Sequence, residues 1–209
     1  MVAEKEDVSG LIDRIDQKKP DLVEFRLDKL SDFSTVEKIT KLKPYPAIAT
    51  IKSKRDDVKS FLLGAASSGF EFVDVDLAAS QASDIVKELK AEGTKVIVSF
   101  HNNSKTPEPK ELKRILKAEI RAGADVSKIV TTAEHEIDNL SVLNFLKDKP
   151  AEARLVTFAM GHHGIPSRIL SPLFGAEFAF ASLDESSKTA DGQLTIDNLR
   201  SAWQLLGVQ

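Results

Sequence analysis

Apolar positions along the chain fall into two alternating patterns. Short β-branched or apolar runs occupy residues 22–26, 47–52, 72–77, 95–101, 126–131, 154–159 and 177–181, each the length of a buried strand. Between them the apolar residues recur at helical spacing. Val8-Leu11-Ile12-Ile15 and Val36-Ile39-Leu42 follow the i, i+3, i+4, i+7 rule, as do Ile85-Val86-Leu89, Leu112-Ile115-Leu116-Glu119-Ile120 and Leu140-Leu143-Leu146. Leu199-Ala202-Trp203-Leu206 closes the chain in the same way. Ser34 and Asp84 suit helix N-caps, Gly93 and Gly123 suit C-caps, and Pro107 and Pro109 precede the helix that Glu111 continues.

Strands alternating with helices at a repeat of about 25 residues imply right-handed βαβ units and a parallel sheet. No Pro- or Ser-rich linker interrupts the repeat and composition does not shift midway, so residues 1–209 are expected to form a single domain. Seven strands are clear, and only the stub Met1-Val2-Ala3 could supply an eighth. A barrel of eight parallel strands takes about 250 residues, with about 200 as the low end. The expectation is therefore an α/β protein, a compact (β/α)8 TIM barrel with a short or truncated first strand. An open doubly wound sheet competes, but no G-x-G-x-x-G or G-x-x-x-x-G-K-[ST] follows any strand.

Composition narrows the chemistry. With 42% hydrophobic residues in 209, the chain can fill a core and is not disordered. It has no cysteine, which excludes disulfides, thiolate metal sites, iron–sulfur clusters and a cysteine nucleophile. The net charge of −3 comes without a dense basic patch, so nucleic acid is not an expected partner. Apolar runs such as 178–181 fall far short of the roughly 20 residues that span a bilayer. Residues 1–7 carry no apolar signal core, so a soluble cytoplasmic protein without membrane contact is expected.

In a parallel barrel the chemistry sits at the carboxyl ends of the strands. Those ends carry Glu24-Phe25-Arg26-Leu27-Asp28, Thr50-Ile51-Lys52, Asp74 with Asp76, and Ser99-Phe100-His101-Asn102-Asn103. They also carry Met160 before Gly161-His162-His163-Gly164, and Thr189-Ala190-Asp191-Gly192-Gln193. So many polar residues converging on one end mark a site.

Lys128 lies among Val126, Ile129 and Val130 in a stretch that otherwise reads as buried strand. Desolvation disfavours an ammonium, and the neighbouring cations expected from Lys52, Arg26 and Arg168 act in the same direction. A neutral interior amine attacks ketones, the first step of Schiff-base chemistry. A lysine near a strand's start can equally run its stem to solvent. Pattern alone leaves both placements open.

His101 can move protons near neutral pH or simply bond a nearby carbonyl. Glu24 and Arg26 read either as an ion pair that sets register or as a carboxylate orienting Arg26 or His101 while the guanidinium grips a substrate oxygen. His162 and His163 are adjacent in a Gly-flanked loop with no carboxylate at ligand-like spacing, so a mobile loop with incidental histidines is expected and no metal. His135 reads as solvated surface.

Taken in order, five segments resemble the type I 3-dehydroquinate dehydratases. Val23-Glu24-Phe25-Arg26-Leu27-Asp28 resembles that family's E-x-R-x-D strand, and Ser99-Phe100-His101-Asn102 with Thr106-Pro107 its S-x-H segment. Asp125-Val126-Ser127-Lys128-Ile129 resembles the segment that bears the Schiff-base lysine. Met160-Gly161 through Gly164 to Ser167-Arg168 is similar to M-G-x-x-G-x-x-S-R, and Thr189-Ala190-Asp191-Gly192-Gln193 to S-A-P-G-Q.

The resemblance implies a homodimeric (β/α)8 barrel that dehydrates 3-dehydroquinate to 3-dehydroshikimate without metal or organic cofactor. It implies that Lys128 forms an iminium with the ring ketone, with His101 as general acid and base and Glu24 orienting His101. It further implies that Arg26 binds a ring oxygen, Arg168 holds the carboxylate, Met160 lines the pocket, and Thr189 with Gln193 closes over the substrate. Lys52 stands where many members carry Arg and would also reach substrate, and Asp56 stands where Glu is common. Thr189 and Asp191 replace the family's Ser and Pro. The other readings of the pattern are a different Schiff-base barrel lyase of the aldolase or transaldolase kind, and a non-catalytic barrel that binds a small acid.

Overall fold

A computed structural model describes residues 8–29, 34–42, 45–52 and 57–208. The expectations placed on Met1-Val2-Ala3 and on Asp56 lie outside them. The chain forms two compact units, Met1–Ile97 and Val98–Gln209. The α/β class holds in both, with strands and helices in alternation.

The first unit contains α1 (Val8–Lys18), β1 (Val23–Arg26), α2 (Ser34–Leu42), β2 (Ala47–Thr50), α3 (Val58–Ser67), β3 (Phe72–Asp76) and α4 (Ala82–Ala91). β1 pairs with β2 in parallel, Val23 opposite Ala47 and Arg26 opposite Thr50, and β2 pairs likewise with β3. β4 (Lys95–His101) starts in this unit, where the Lys95 N–H donates to the Glu71 carbonyl. Every residue of β2 is buried, the mark of a parallel strand covered on both faces. Phe25, 1% exposed, meets Phe70 edge to face with ring centroids 6.0 Å apart.

α3 carries no strong apolar stripe in the sequence because its inward positions are Leu62, Ala65 and Ala66, two of them only methyl groups. Asp84 does not cap α4. The helix starts two residues earlier, after Gln81 in the left-handed region at φ 60°, so Asp84 stands in its first turn. A carboxylate there still complements the helix dipole.

The second unit contains the end of β4, α5 (Pro109–Ala122), β5 (Val126–Thr132), α6 (Asp138–Lys147), β6 (Leu155–Met160), α7 (Ile165–Leu170) and α8 (Ile196–Leu205). β5 and β6 pair in parallel over six positions, with Lys128 opposite Val156 and Thr132 opposite Met160. Pro109 opens α5, where its missing N–H costs nothing, and Gly123 ends it at φ 100°.

Residues 177–181 are not a strand. Among the described residues, the backbone hydrogen bonding of this stretch is confined to its ends: Glu177 N–H donates to Leu155 O, and the adjoining Ser182 forms an isolated parallel bridge with Thr195. Its aromatic residues gave it a strand's composition, yet they act through their rings, Phe178 and Phe180 lying 5.5 Å apart. In α6 the inward face is Asn139, Val142, Leu143, Phe145 and Leu146, whereas Leu140 is 54% exposed. Among the described residues, no helix is long and apolar enough to cross a membrane.

The Phe25–Phe70 contact sets a measurable stability. Phe25→Ala should lower the unfolding free energy by about 3–5 kcal/mol, the usual cost of emptying a filled aromatic site. Urea unfolding monitored by circular dichroism checks it, and a loss under about 1 kcal/mol would show that the site collapses around the gap.

Candidate active site

In the first unit the carboxyl ends of β1, β2 and β3 bring charged side chains together. Arg26 grips Asp28 through two parallel bonds, Nε to Oδ1 at 2.8 Å and Nη2 to Oδ2 at 2.7 Å. Glu24 accepts the hydroxyl of the fully buried Thr50 at 2.9 Å. Lys52 Nζ lies 3.4 Å from Oδ1 of Asp74, a carboxylate with a completely buried side chain. The sequence left Glu24 and Arg26 open as an ion pair or as a carboxylate orienting Arg26 or His101, and the charge of Glu24 does favour the cationic Arg26. The guanidinium is forked on Asp28, because the turn after β1 (Leu27–Lys29) folds that carboxylate back onto the strand end.

The electrostatics follow from this pairing. The hydrogen bond to Asp28, against burial, holds Arg26 more firmly in its charged form. Burial pushes the Asp28 carboxyl up, but the hydrogen bond and charge of Arg26 outweigh it and leave the carboxyl below its ordinary range.

The second unit holds His101, Lys128, Met160, Arg168, Thr189 and Gln193. Lys128 is 4% exposed and sits third in β5, so the structure selects the buried placement over the solvent-reaching one. Its Nζ lies 4.2 Å from the centre of the Phe180 ring. That ring neighbours Phe158 at 6.1 Å, and Phe158 in turn carries the Arg168 guanidinium at 4.4 Å. Two cations thus lie on two aromatic faces in one continuous chain of contacts.

Register explains the arrangement. Lys128 opposes Val156, Val130 opposes Phe158 and Thr132 opposes Met160, so these side chains share one face of the β5–β6 pair. Phe158 was not picked from the sequence. Alternation back from Met160 would have reached it.

Burial alone lowers the Arg168 guanidinium to about 10, still fully charged at neutral pH. Its Nη2 donates to the Asp191 carbonyl at 3.4 Å, and its buried Nε has no hydrogen-bond partner among the described residues. The same carbonyl accepts the Gly161 N–H at 3.2 Å, tying the loop after β6 to the 189–193 loop. Gly192 is required there. It sits at φ +72°, and a Cβ would lie 2.2 Å from the Gly161 oxygen.

Gln193, 9% exposed, accepts both the Thr189 N–H at 2.7 Å and the Thr189 hydroxyl at 3.0 Å through Oε1. A cleft of about 540 Å³ opens between this loop and His162 with Ile165.

His101 ends β4 half-buried. Asn102 behind it donates its N–H to Val130 O at 2.8 Å, and its side chain accepts from Ser104 and Lys105 to close a turn. Thr106 then donates to Thr132 O at 3.0 Å, so the loop after β4 is laced to the end of β5. The loop histidines have local roles: His162–Gly164 is a single helical turn, and His163 Nδ1 meets Glu136 at 2.7 Å. Among the described residues, no group of three or more His, Asp or Glu is arranged to hold a metal ion.

The type I 3-dehydroquinase family model matches residues 1–209. The chain belongs to the type I 3-dehydroquinase family. It is 39% identical over 132 residues to a 3-dehydroquinate dehydratase of Dehalococcoides mccartyi, covering 63% of this chain and 59% of that protein. It is 32% identical over 200 residues to the Methanocaldococcus jannaschii 3-dehydroquinate dehydratase, covering 90% and 89% of the two chains. Among solved structures, the 3-dehydroquinate dehydratase of Geobacillus kaustophilus superposes with a TM-score of 0.87 at 25% identity, over 98% of this chain and 89% of that one. The barrel class read from the alternation of elements agrees with that likeness.

The strand end Glu24-Phe25-Arg26-Leu27-Asp28 thus supplies an internally paired Arg26, and pH tests that pairing. The folded Asp28 carboxyl titrates below the ordinary carboxylate range, so the unfolded chain binds more protons and stability falls as pH drops through that window. The gap in urea midpoint between the parent protein and Asp28→Asn should be full above about pH 5 and shrink steadily towards pH 3. A gap that does not change with pH would show that the carboxylate charge is not its source.

Proposed function

We propose that this protein is a 3-dehydroquinate dehydratase, a lyase of the shikimate pathway that removes water from 3-dehydroquinate through a Schiff base on Lys128. The observation that carries the reading is the buried Lys128 amine, 4% exposed over the Phe180 ring, joined by Phe158 to a buried Arg168 with no carboxylate partner among the described residues. Family membership supports the reaction, since the relatives matched are named for it.

In this reading the Lys128 amine adds to the ring ketone and water is expelled, leaving an iminium that draws electrons from the adjacent carbon. His101 takes the proton from that carbon. The electron pair forms the new double bond as the hydroxyl on the next carbon leaves, protonated by His101 to give water in a syn elimination. Hydrolysis of the iminium frees 3-dehydroshikimate and restores the lysine. Each turnover converts one substrate molecule into product and one water.

Arg168 is assigned the substrate carboxylate. A guanidinium already stripped of water and held on a ring gains more from a bidentate anion than a solvated one. Arg26 and Lys52 are assigned ring oxygens, Met160 the pocket wall, and Thr189 with Gln193 the closing loop. Glu24 is assigned the orientation of His101. The same proposal takes residues 1–209 as one catalytic domain, acting as a cytoplasmic homodimer with no metal or organic cofactor.

Borohydride reduction in the presence of 3-dehydroquinate should attach ligand-derived mass to the peptide that contains Lys128, read by mass spectrometry. No adduct, or an adduct on another lysine, ends the Schiff-base reading. His101→Ala should slow turnover by about 10²–10⁴-fold, the usual scale for a lost acid–base group. An unchanged kcat would remove His101 from the mechanism.

A further inference from the structure

We propose that Asn139 is a positioning residue for Arg168, acting as a helix cap supplied from a neighbouring element. α7 begins after Gly164, which has no side chain to offer, and the first N–H groups of a helix find no acceptor within it. Asn139, on α6, fills that role: its Oδ1 accepts the Ser167 N–H at 2.9 Å. The Nδ2 of the same amide donates to the Glu136 carbonyl at 2.8 Å and to the His163 carbonyl at 2.7 Å. Both amide hydrogens and the oxygen are therefore used, in a residue only 3% exposed.

One side chain thus joins the turn before α6, the turn before α7 and the first turn of α7 itself. Ser167 completes the clamp, donating its hydroxyl to Gly164 O and accepting the Ala159 N–H from β6, each at 2.9 Å. Arg168 is the next residue. Its own holds are a ring face and one long bond to the Asp191 carbonyl, too few to fix where the guanidinium points. The rotation of α7 is set instead at Ser167, and through it by Asn139. A leucine at 139 would fill similar space yet strand the Ser167 N–H and the His163 carbonyl, while the Glu136 carbonyl would keep the backbone N–H of residue 139, and α7 would turn to find other partners.

This inference rests on the reading of Arg168 as the holder of the substrate carboxylate, and the test separates the two. Trp203 is the chain's single tryptophan, and its indole N–H donates to Ile169 O at 2.8 Å, so its emission reports the position of α7 without substrate. Asn139→Leu should shift that emission and raise KM for 3-dehydroquinate about tenfold, while kcat changes less than about threefold. Asn139→Asp, which keeps the acceptor for Ser167, should give a smaller change in both. In an Arg168→Lys background Asn139→Leu should add less than about twofold to KM, because the two act as one unit.

Wild-type KM and emission in Asn139→Leu would overturn the proposal, as would an equal factor in both backgrounds. Arg168→Lys with an unchanged KM would instead overturn the reading of Arg168 on which it stands. Should the leucine variant not fold, Asn139→Asp and its cycle with Arg168→Lys carry the same comparison.

Discussion

Arg168 keeps 4% of its surface in contact with solvent, and a charge so placed loses hydration that the protein must replace. The replacements found in the second unit are few and specific: the face of Phe158, the carbonyl of Asp191, and a helix held rigidly enough to keep the guanidinium between them. That demand organises the surroundings. β6 supplies Phe158 and donates the Ala159 N–H to the Ser167 hydroxyl, α6 supplies the cap, and the 189–193 loop must come close enough to present its carbonyl. Burial lowers the guanidinium to about 10, so even this costly environment leaves it cationic at neutral pH. An anion arriving there restores what burial removed.

The first unit solves the same problem differently. Arg26 and Lys52 each have a carboxylate of their own, Asp28 at 2.7 Å and Asp74 at 3.4 Å. A paired cation gains less from an incoming anion than a desolvated one facing a ring, because its field is already answered. In the proposed reaction this difference gives the two sets of cations distinct work. Arg168 suits recognition of full negative charge, whereas Arg26, with its fork occupied by Asp28, suits hydroxyl or carbonyl oxygens that need only a donor.

Much of this was legible in the chain, and the failures have physical causes. β4 was read to the residue because Val96, Ile97, Val98 and Ser99 are all buried between an exposed Lys95 and the half-buried His101. Residues 177–181 show the converse, since aromatic composition resembles a strand whether the rings or the backbone do the bonding. α3 escaped notice because alanines fill its inward positions and helical periodicity detects large side chains. Lys128 stayed open because sequence alternation does not report how deeply a side chain is covered, and its 4% exposure, with the Phe180 ring over the amine, decides it. Asn139 was passed over for Leu140 on the same helix, although a buried polar residue says more than an exposed leucine.

The glycines draw the line between motif and mechanism most sharply. A Cβ at Gly10, Gly69, Gly93 or Gly207 would meet nothing within 4 Å, so those positions answer only to local backbone shape. At Gly164 it would stand 2.4 Å from the Ala159 oxygen, and at Gly192 2.2 Å from the Gly161 oxygen. Both lie in the motifs that resemble M-G-x-x-G-x-x-S-R and the closing loop, and both permit backbone to touch backbone beside Arg168. Read as letters, those motifs look like chemistry. In the structure their glycines are spacing: Gly164 lets its turn fold onto the end of β6, and Gly192 lets the two loops approach until one carbonyl, that of Asp191, serves the Gly161 N–H and the guanidinium at once.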